Sequence, residues 1–451
     1  MTTAPYDSHD GSIPKSTTNP SDVTAISHRQ GRLQAITGIG IGNALEWFDW
    51  NIYAIFATYF APQFFNGADK ASALLSTLAV FAVGFVARPF GGFVFGLASD
   101  RVGRKFSMAL TIAVSAAGSI VIGISPTYAA IGSGASLILL VARLVQGLAH
   151  GGEMPSAQTY VSEYAPRTRR GLWSSLIYIS GTVGVLVGTL LAAVLSAVLS
   201  KDAMGAFGWR IPFLVGGAFG LFGLFMRLRM TEPEVFTDDV AAQRAAKPKL
   251  WRAILAHKRQ AAQVIGLTVG LTVVYYAWAV SAPAHAIATR GIHPTAAFWA
   301  GVVANLVFIA ALPVWGRLSD RVGRKPILLT GALGPAVLLF PLNAMIGHSG
   351  VRLAVAMSIA MIFIAMGASI VPAVYAELFP THIRTTAVGI PYSICVAAFG
   401  GTAPYLQELT TTALSPAWFT GYVIVLLVVS AAVIARLPET KAKGLHNNQL
   451  I

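Results

Sequence analysis

The chain has 451 residues, of which 55% are hydrophobic and only 11% charged, against about 25% charged in an ordinary soluble domain. That composition argues against a string of soluble domains and makes the bilayer the expected solvent. The net charge of +14 would suit a nucleic-acid partner unless the basic residues sort by membrane side, and a single cysteine, Cys395, excludes an internal disulfide or a thiolate metal site.

Residues 1–31 are polar, rich in Ser, Thr and Asp, and hold no apolar signal region, so they read as a disordered cytoplasmic tail. Beyond them, charge-free stretches long enough to cross about 30 Å of hydrocarbon follow one another. Divided at Pro, Gly and charge, they predict twelve helices near 32–60, 71–98, 106–125, 135–163, 172–199, 209–228, 254–283, 295–318, 327–347, 352–378, 385–406 and 416–437. The predicted fold class is an all-α membrane protein of two six-helix bundles, 32–230 and 254–438. A cytoplasmic loop at 231–253 joins them, and a cytoplasmic tail follows at 439–451. With the N-terminus inside, Lys70, Lys201, Arg210, Arg290 and Arg352 fall outside and Arg88 and Arg143 in the membrane; every other Lys and Arg is cytoplasmic. That is the positive-inside bias, not a nucleic-acid footprint.

The first helix carries Glu46 and Asp49, whose spacing puts both carboxylates on one face, and Asn43 and Tyr53 extend that stripe. In the second, Arg88 interrupts an apolar run beside Pro89. An ionisable group at bilayer depth costs about 2.5–3.5 kcal/mol on insertion scales, so Arg88 is expected to meet an acid, Glu46 or Asp49. The fourth helix aligns Arg143, Gln146, His150 and Glu153 on one stripe. Arg143 can fork to a carboxylate, which makes it the expected clamp for an anionic substrate, with Gln146 beside it. Glu46, Asp49, Glu153, His150 and Arg88 are the proton-coupling candidates, and the choice among the carboxylates stays open. The fifth helix holds Gly181, Gly184 and Gly188, suited to close approach.

After the second helix comes GLASDRVGRK, with Asp100, Arg101, Arg104 and Lys105; after the eighth comes GRLSDRVGRK, with Asp320, Arg321, Arg324 and Lys325. The core SDRVGRK is repeated letter for letter. Glu163-Tyr-Ala-Pro166 with Arg169 likewise matches Glu377-Leu-Phe-Pro380 with Arg384. The chain therefore reads as a duplication whose halves are related by a two-fold axis along the membrane normal. Beyond Arg259 in helix 7, and between Arg352 and Glu377 in helix 10, there is no Lys, Arg, Asp or Glu, but these stretches offer Tyr275, Tyr276, Trp278, Ser281, Ser358, Ser369 and Tyr375. Charge and proton chemistry is thus expected in the N-terminal half, and an aromatic and hydroxyl wall for the substrate body in the other.

The repeated loop resembles the signature motif of the major facilitator superfamily. Gly42-Asn-Ala-Leu-Glu-Trp-Phe-Asp-Trp50, Arg88-Pro-Phe-Gly91, Arg143-Leu-Val-Gln-Gly147 and Gly151-Gly-Glu153 resemble the metabolite:H+ symporter family within it, which includes carriers of 2-oxoglutarate, citrate, shikimate, proline and betaine. Leu437-Pro-Glu-Thr-Lys441 is similar to the end of sugar porters and lies outside the pore. The resemblance implies a monomeric secondary transporter in the bacterial inner membrane, taking up a small organic acid such as 2-oxoglutarate or a related carboxylate with protons by alternating access. A zwitterionic osmolyte is the alternative substrate. It further implies that the repeated loops, with Glu163, Arg169, Glu377 and Arg384, close the cytoplasmic side. No enzyme motif is present and no cofactor is expected.

Overall fold

The computed structural model describes residues 20–66, 69–102, 104–151, 153–229, 257–380 and 383–441; the side chains of 20–37, 92–93, 95–108, 153, 155–156 and 226–229 are not among those described. Twelve spans cross the fold. The first six are α1 (Pro20–Phe64), α2 (Lys70–Val102), α3 (Arg104–Ile124), α4 (Ser133–Ala149) continued by α5 (Glu153–Tyr164), α6 (Arg170–Val198) and α7 (Arg210–Arg229). The second six are α8 (Lys258–Tyr275) continued by α9 (Ala282–Arg290), α10 (Pro294–Val322), α11 (Arg324–Ile346), α12 (Gly350–Leu378), α13 (Arg384–Cys395) continued by α14 (Ala403–Ala413), and α15 (Pro416–Arg436). Among the described residues there is no strand. Inside hydrocarbon only a helix satisfies every backbone group within its own segment, so an apolar chain of this length has few alternatives.

Nine of the described helical segments are long and apolar enough to cross a membrane, while Ala109–Ile124 and Ser133–Ala149 are shorter. The first span is not among the nine, because Asn43, Glu46, Asp49 and Asn51 interrupt its apolar run. α1, α3 and α4 gather around a buried polar cluster. Val198, Val337, Val351 and Trp418 are two-thirds or more exposed, the surface expected where lipid replaces water.

Element ends depart from the sequence reading in four places. α1 starts at Pro20, inside the stretch expected to be a tail. The fourth span is broken after His150, which caps α4, and Glu153 opens α5, so their common stripe is interrupted. The seventh and eleventh spans contain π-turns, Tyr276–Ser281 and Val396–Gly400, and run on to Arg290 and Ala413. A π-turn inserts a residue into the helical ladder and is common at functional sites. The central loop 231–253 lies outside the described residues.

Two compact units divide the chain, Met1–Ile39 and Gly40–Ile451. All that follows concerns the second. There α6 packs on α10, α3 on α7, and α12 on α10 and α11. Gly184 shows why α6 can lie so close to α1: a Cβ at that position would stand 2.0 Å from the carbonyl oxygen of Ala44. The interior of α12 is buried along its length, Ile364 and Ala365 in the main core and Ile370 and Val374 in a second apolar cluster.

Candidate functional site

A cavity of about 770 Å³ lies between the halves. Trp47, Trp50, Tyr178, Tyr275, Tyr276, Tyr375 and Tyr392 line it, with two charged side chains, Glu46 and Arg88. The Arg88 guanidinium lies 4.1 Å from the Trp50 ring centre and 4.5 Å from that of Phe85. It was expected to be neutralised by an acid; the partners it has here are ring faces. Donors at Trp50 Nε1, Arg88 Nε and Tyr275 Oη are buried without a hydrogen-bond partner. Three unused donors on the lining residues of one cavity are a costly arrangement for an empty site and a suitable one for an acceptor-rich ligand.

Behind this wall is a sealed polar cluster. Asp49, 6% exposed, accepts hydrogen bonds from Ser119 Oγ, from Ser115 Oγ at 2.9 Å and from Gln146 Nε2 at 3.1 Å. Gln146 is oriented by Arg143, whose Nη1 donates to Gln146 Oε1 at 3.0 Å. The amide thus relays the arginine's charge to the aspartate: its oxygen faces the cation and its N–H the anion. Arg143 is fully buried, with Trp50 at 4.1 Å and Tyr53 at 4.2 Å from its guanidinium carbon. His150 joins cluster and cavity. Its Nε2 is 3.0 Å from Ser115 Oγ and its Nδ1 3.6 Å from Glu46 Oε1. Because the Ser115 hydroxyl hydrogen is directed at Asp49, the Nε2 side of the imidazole supplies the proton of the Ser115 bond, and Nδ1 faces Glu46.

Several expected substrate contacts therefore lie elsewhere. Arg143 and Gln146 do not line the cavity, because the Trp50 indole stands against both guanidiniums and only Arg88 reaches the open side. Asn43 is a helix-packing residue, donating to Ile177 O at 2.7 Å and Ser180 Oγ at 2.9 Å. Tyr53 donates to Thr77 O at 3.0 Å beneath Arg143. Tyr275 and Tyr276 do line the cavity, but Trp278 does not: the π-turn rotates it into a second cavity of about 650 Å³ within the C-terminal half. The side chain of Glu153 lies outside those described.

That second cavity corrects the expectation of an uncharged C-terminal half. Glu408, 5% exposed, pairs with His285 Nδ1 at 3.1 Å. Both were missed because the helices were ended too early, at 283 and 406, which left these residues in loops. The other overlooked residues are Trp50, Ser115 and Ser119. Serines at a spacing of four on the third helix were a usable signal, since they share a face.

At the end of the fold expected to be cytoplasmic, the halves are clasped by charges. Glu163 takes Arg384 at 2.5 Å, and Glu377 takes Arg170 at 2.7 Å, each acid reaching across to the other half. Asp320 accepts the backbone N–H groups of Gly171 and Leu172 at 2.9 and 3.0 Å while holding Arg324 at 2.7 Å. A carboxylate at the first turn of α6 also meets the positive end of its dipole. Gly171 and Gly316 permit the contact: a Cβ on either would stand within 2.7 Å of the other's carbonyl oxygen. Arg169, expected here, is exposed on its 3-10 turn, and the neighbouring Arg170 makes the bond. Arg321 and Lys325 join through their backbones, accepting from Lys441 Nζ and donating to Glu439 respectively. Burial would raise the Glu439 carboxyl, yet the N–H groups of Arg324, Lys325, Lys441 and Thr440 hold it below the usual range. The side chains of Asp100, Arg101, Arg104 and Lys105 lie outside those described.

At the opposite end the contacts are apolar. Phe56 and Phe298 stack across the halves with ring centres 6.5 Å apart, and Tyr59 lies 6.3 Å from the same ring. One bond, Thr295 Oγ1 to Ser196 O at 3.0 Å, accompanies them.

A multi-span bundle with a polar-lined cavity between its halves defines a membrane transporter rather than an enzyme. The chain belongs to the Major Facilitator Superfamily, whose model matches residues 39–289, and the Sugar (and other) transporter model matches 234–450. It is 32% identical to the alpha-ketoglutarate permease of Escherichia coli K12 over 435 residues, 96% of this chain and 99% of that protein. It is 31% identical to the proline/betaine transporter of Salmonella typhimurium over 446 residues, 94% of this chain and 87% of that one. The crystal structure of a D-xylose-proton symporter shares the fold at a TM-score of 0.71 and 20% identity, covering 92% of this chain and 99% of that one. The protein is a multi-pass cell-membrane transporter.

Proposed function

We propose that the protein is a proton-coupled symporter of a small organic acid bearing one carboxylate. The observation that carries this is the cavity itself: among its lining residues Arg88 is the one Lys or Arg, opposite Glu46 and within a ring of aromatic side chains. One guanidinium forks one carboxylate, and the rings take the rest of the substrate body. A second carboxylate, as in 2-oxoglutarate or citrate, would find no second cation there.

The proton path runs from Glu46 in the cavity wall through His150 and Ser115 to Asp49. A proton leaving Glu46 binds His150 Nδ1, the Nε2 proton passes to Ser115 Oγ, and the serine's own proton passes to Asp49. His150 and Ser115 each gain one proton as they lose one, so the net transfer is one proton from Glu46 to Asp49. Protonation of Asp49 removes the charge that Gln146 and Arg143 are arranged around, which ties the state of the cluster to helices 1, 3 and 4 together. The cytoplasmic clasp is the gate on that side.

A zwitterionic osmolyte is the second reading. The same rings would cage an ammonium group, Glu46 would be its counter-ion, and a relative of this chain bears the name proline/betaine transporter. Uptake into proteoliposomes under an imposed inward proton gradient, tested with benzoate, shikimate, 2-oxoglutarate, citrate, proline and betaine, decides between them. Accumulation of a monocarboxylate supports the first reading, of betaine the second, and of none refutes both.

A further inference from the structure

The second cavity lies wholly in the C-terminal half, between the ends of α9, α11, α14 and α15 that the charge pattern places outside. We propose that it is a second binding site, for a small carboxylate, on the extracellular approach to the central cavity. The proposal rests on the reading of the protein as an organic-acid carrier and extends it to a site in a different part of the fold.

Three observations carry it. Arg290, in the last turn of α9, lines the cavity; among the described residues its guanidinium has no hydrogen bond or ion pair, and only its carbonyl is used, by His348 Nδ1 at 2.6 Å. Gln407 adds donors: its Oε1 accepts from Ser281 at 2.8 Å, which turns the amide N–H groups away from that bond. Glu408 would repel an anion, but it lies behind His285 at 3.1 Å and is not among the lining residues, so the guanidinium of Arg290 is the permanent charge on the cavity wall. The other walls, from α11, α12 and α15, contribute Asn343, Thr420 and apolar side chains and no further titratable group. Trp278 and Phe419 offer faces for the body of an acid.

The wall between the two cavities is the π-turn itself. Tyr275 and Tyr276 face the central cavity, Ala277 and Trp278 the outer one. Arg290 lies at the far end of α9, so a carboxylate bound there sits roughly 20 Å further out along the span than Tyr276. Rewinding Tyr276–Ser281 would move that wall without unfolding α8 or α9.

The test uses the full chain in proteoliposomes with Thr411→Cys, a half-buried position on the cavity wall, the native Cys395 being buried. Two membrane-impermeant methanethiosulfonates are added from outside, one ending in a sulfonate and one in a trimethylammonium, and each rate is referred to that with a free thiol. The expected result is a preference for the sulfonate that falls roughly tenfold with Arg290→Gln, the scale of one charge at short range. The preference persists with Arg290→Lys and with Arg88→Gln, and benzoate slows the sulfonate reaction in the Arg88→Gln background but not in Arg290→Gln. No modification at all, a preference indifferent to Arg290→Gln, or benzoate protection lost with Arg88→Gln overturns the outer site. Failure of the organic-acid reading is separate: it appears as absent uptake across the substrate panel while the thiol rates still depend on Arg290.

Discussion

Replacing Glu377 by Gln tests the cytoplasmic clasp most directly. Glu377 is fully buried and receives Arg170 from the other half at 2.7 Å, Thr440 Oγ1 at 2.6 Å and Arg324 at 3.5 Å. The amide keeps one acceptor oxygen but removes the negative charge that two buried arginines share. Breaking a buried pair from one side costs about 3–5 kcal/mol; the retained hydrogen bond favours the lower end, about 3 kcal/mol. The Arg170 bond exists only while the halves touch on this side, so the loss falls on the closed state and shifts the equilibrium towards cytoplasmic opening roughly 150-fold. Hydrogen exchange of the full chain in nanodiscs reads this at the Gly171 and Leu172 amides, which donate to Asp320 only across the closed interface. Their protection should fall by about two orders of magnitude, with amides in the middle of α12 unchanged. If those two amides keep wild-type protection while the variant remains folded, the clasp does not hold the cytoplasmic side and the reasoning fails.

Arg88→Gln should raise the KM for a carboxylate substrate by roughly one to two orders of magnitude, the value of a hydrogen bond to a charged group, with thermal stability nearly unchanged because Arg88 is only half-buried. Asp49→Asn should keep substrate counterflow but lose accumulation driven by a proton gradient, checked in the same proteoliposomes. Gly171→Leu forces a side chain onto the Gly316 carbonyl, Ser319 and Arg324, and cysteine accessibility from the cytoplasmic side should rise. Glu439 has its carboxyl held low, so its contribution is fully present above the ordinary carboxylate value of 4.5 and is lost as pH falls through the lower folded value. Exchange protection of the Arg324 and Lys325 amides should be flat from neutral pH down to about 5 and disappear in acid; Glu439→Gln should remove it at neutral pH.

The number of spans, the duplication and the charged end of the fold were legible because they follow from hydropathy, repetition and charge sign, which are properties of the chain itself. Within the repeated loop, Asp320 meets both a neighbouring arginine and the N-terminus of a facing helix. What the sequence could not convey is how each helix is rotated about its axis. Arg88 and Arg143 look alike as single cations in apolar runs, yet one opens on the cavity and the other is sealed under Trp50 and Tyr53. The His285–Glu408 pair was lost to helix ends, since Pro283 and the polar run after Pro404 look like terminations. In the fold Pro283 sits in the first turn of α9, where its missing N–H costs least.

The two ends of this transporter are closed by different physics. Charged pairs and helix-end dipoles join the halves at the cytoplasmic end, and stacked rings at Phe56 and Phe298 join them at the outer end. Apolar contacts lose strength on cooling, whereas the desolvation cost of ion pairs falls as temperature rises. Both closures therefore strengthen on warming, but not in step: the apolar gain levels off while the ionic one continues, so heat tilts the balance towards the carrier closed at its ionic, cytoplasmic end.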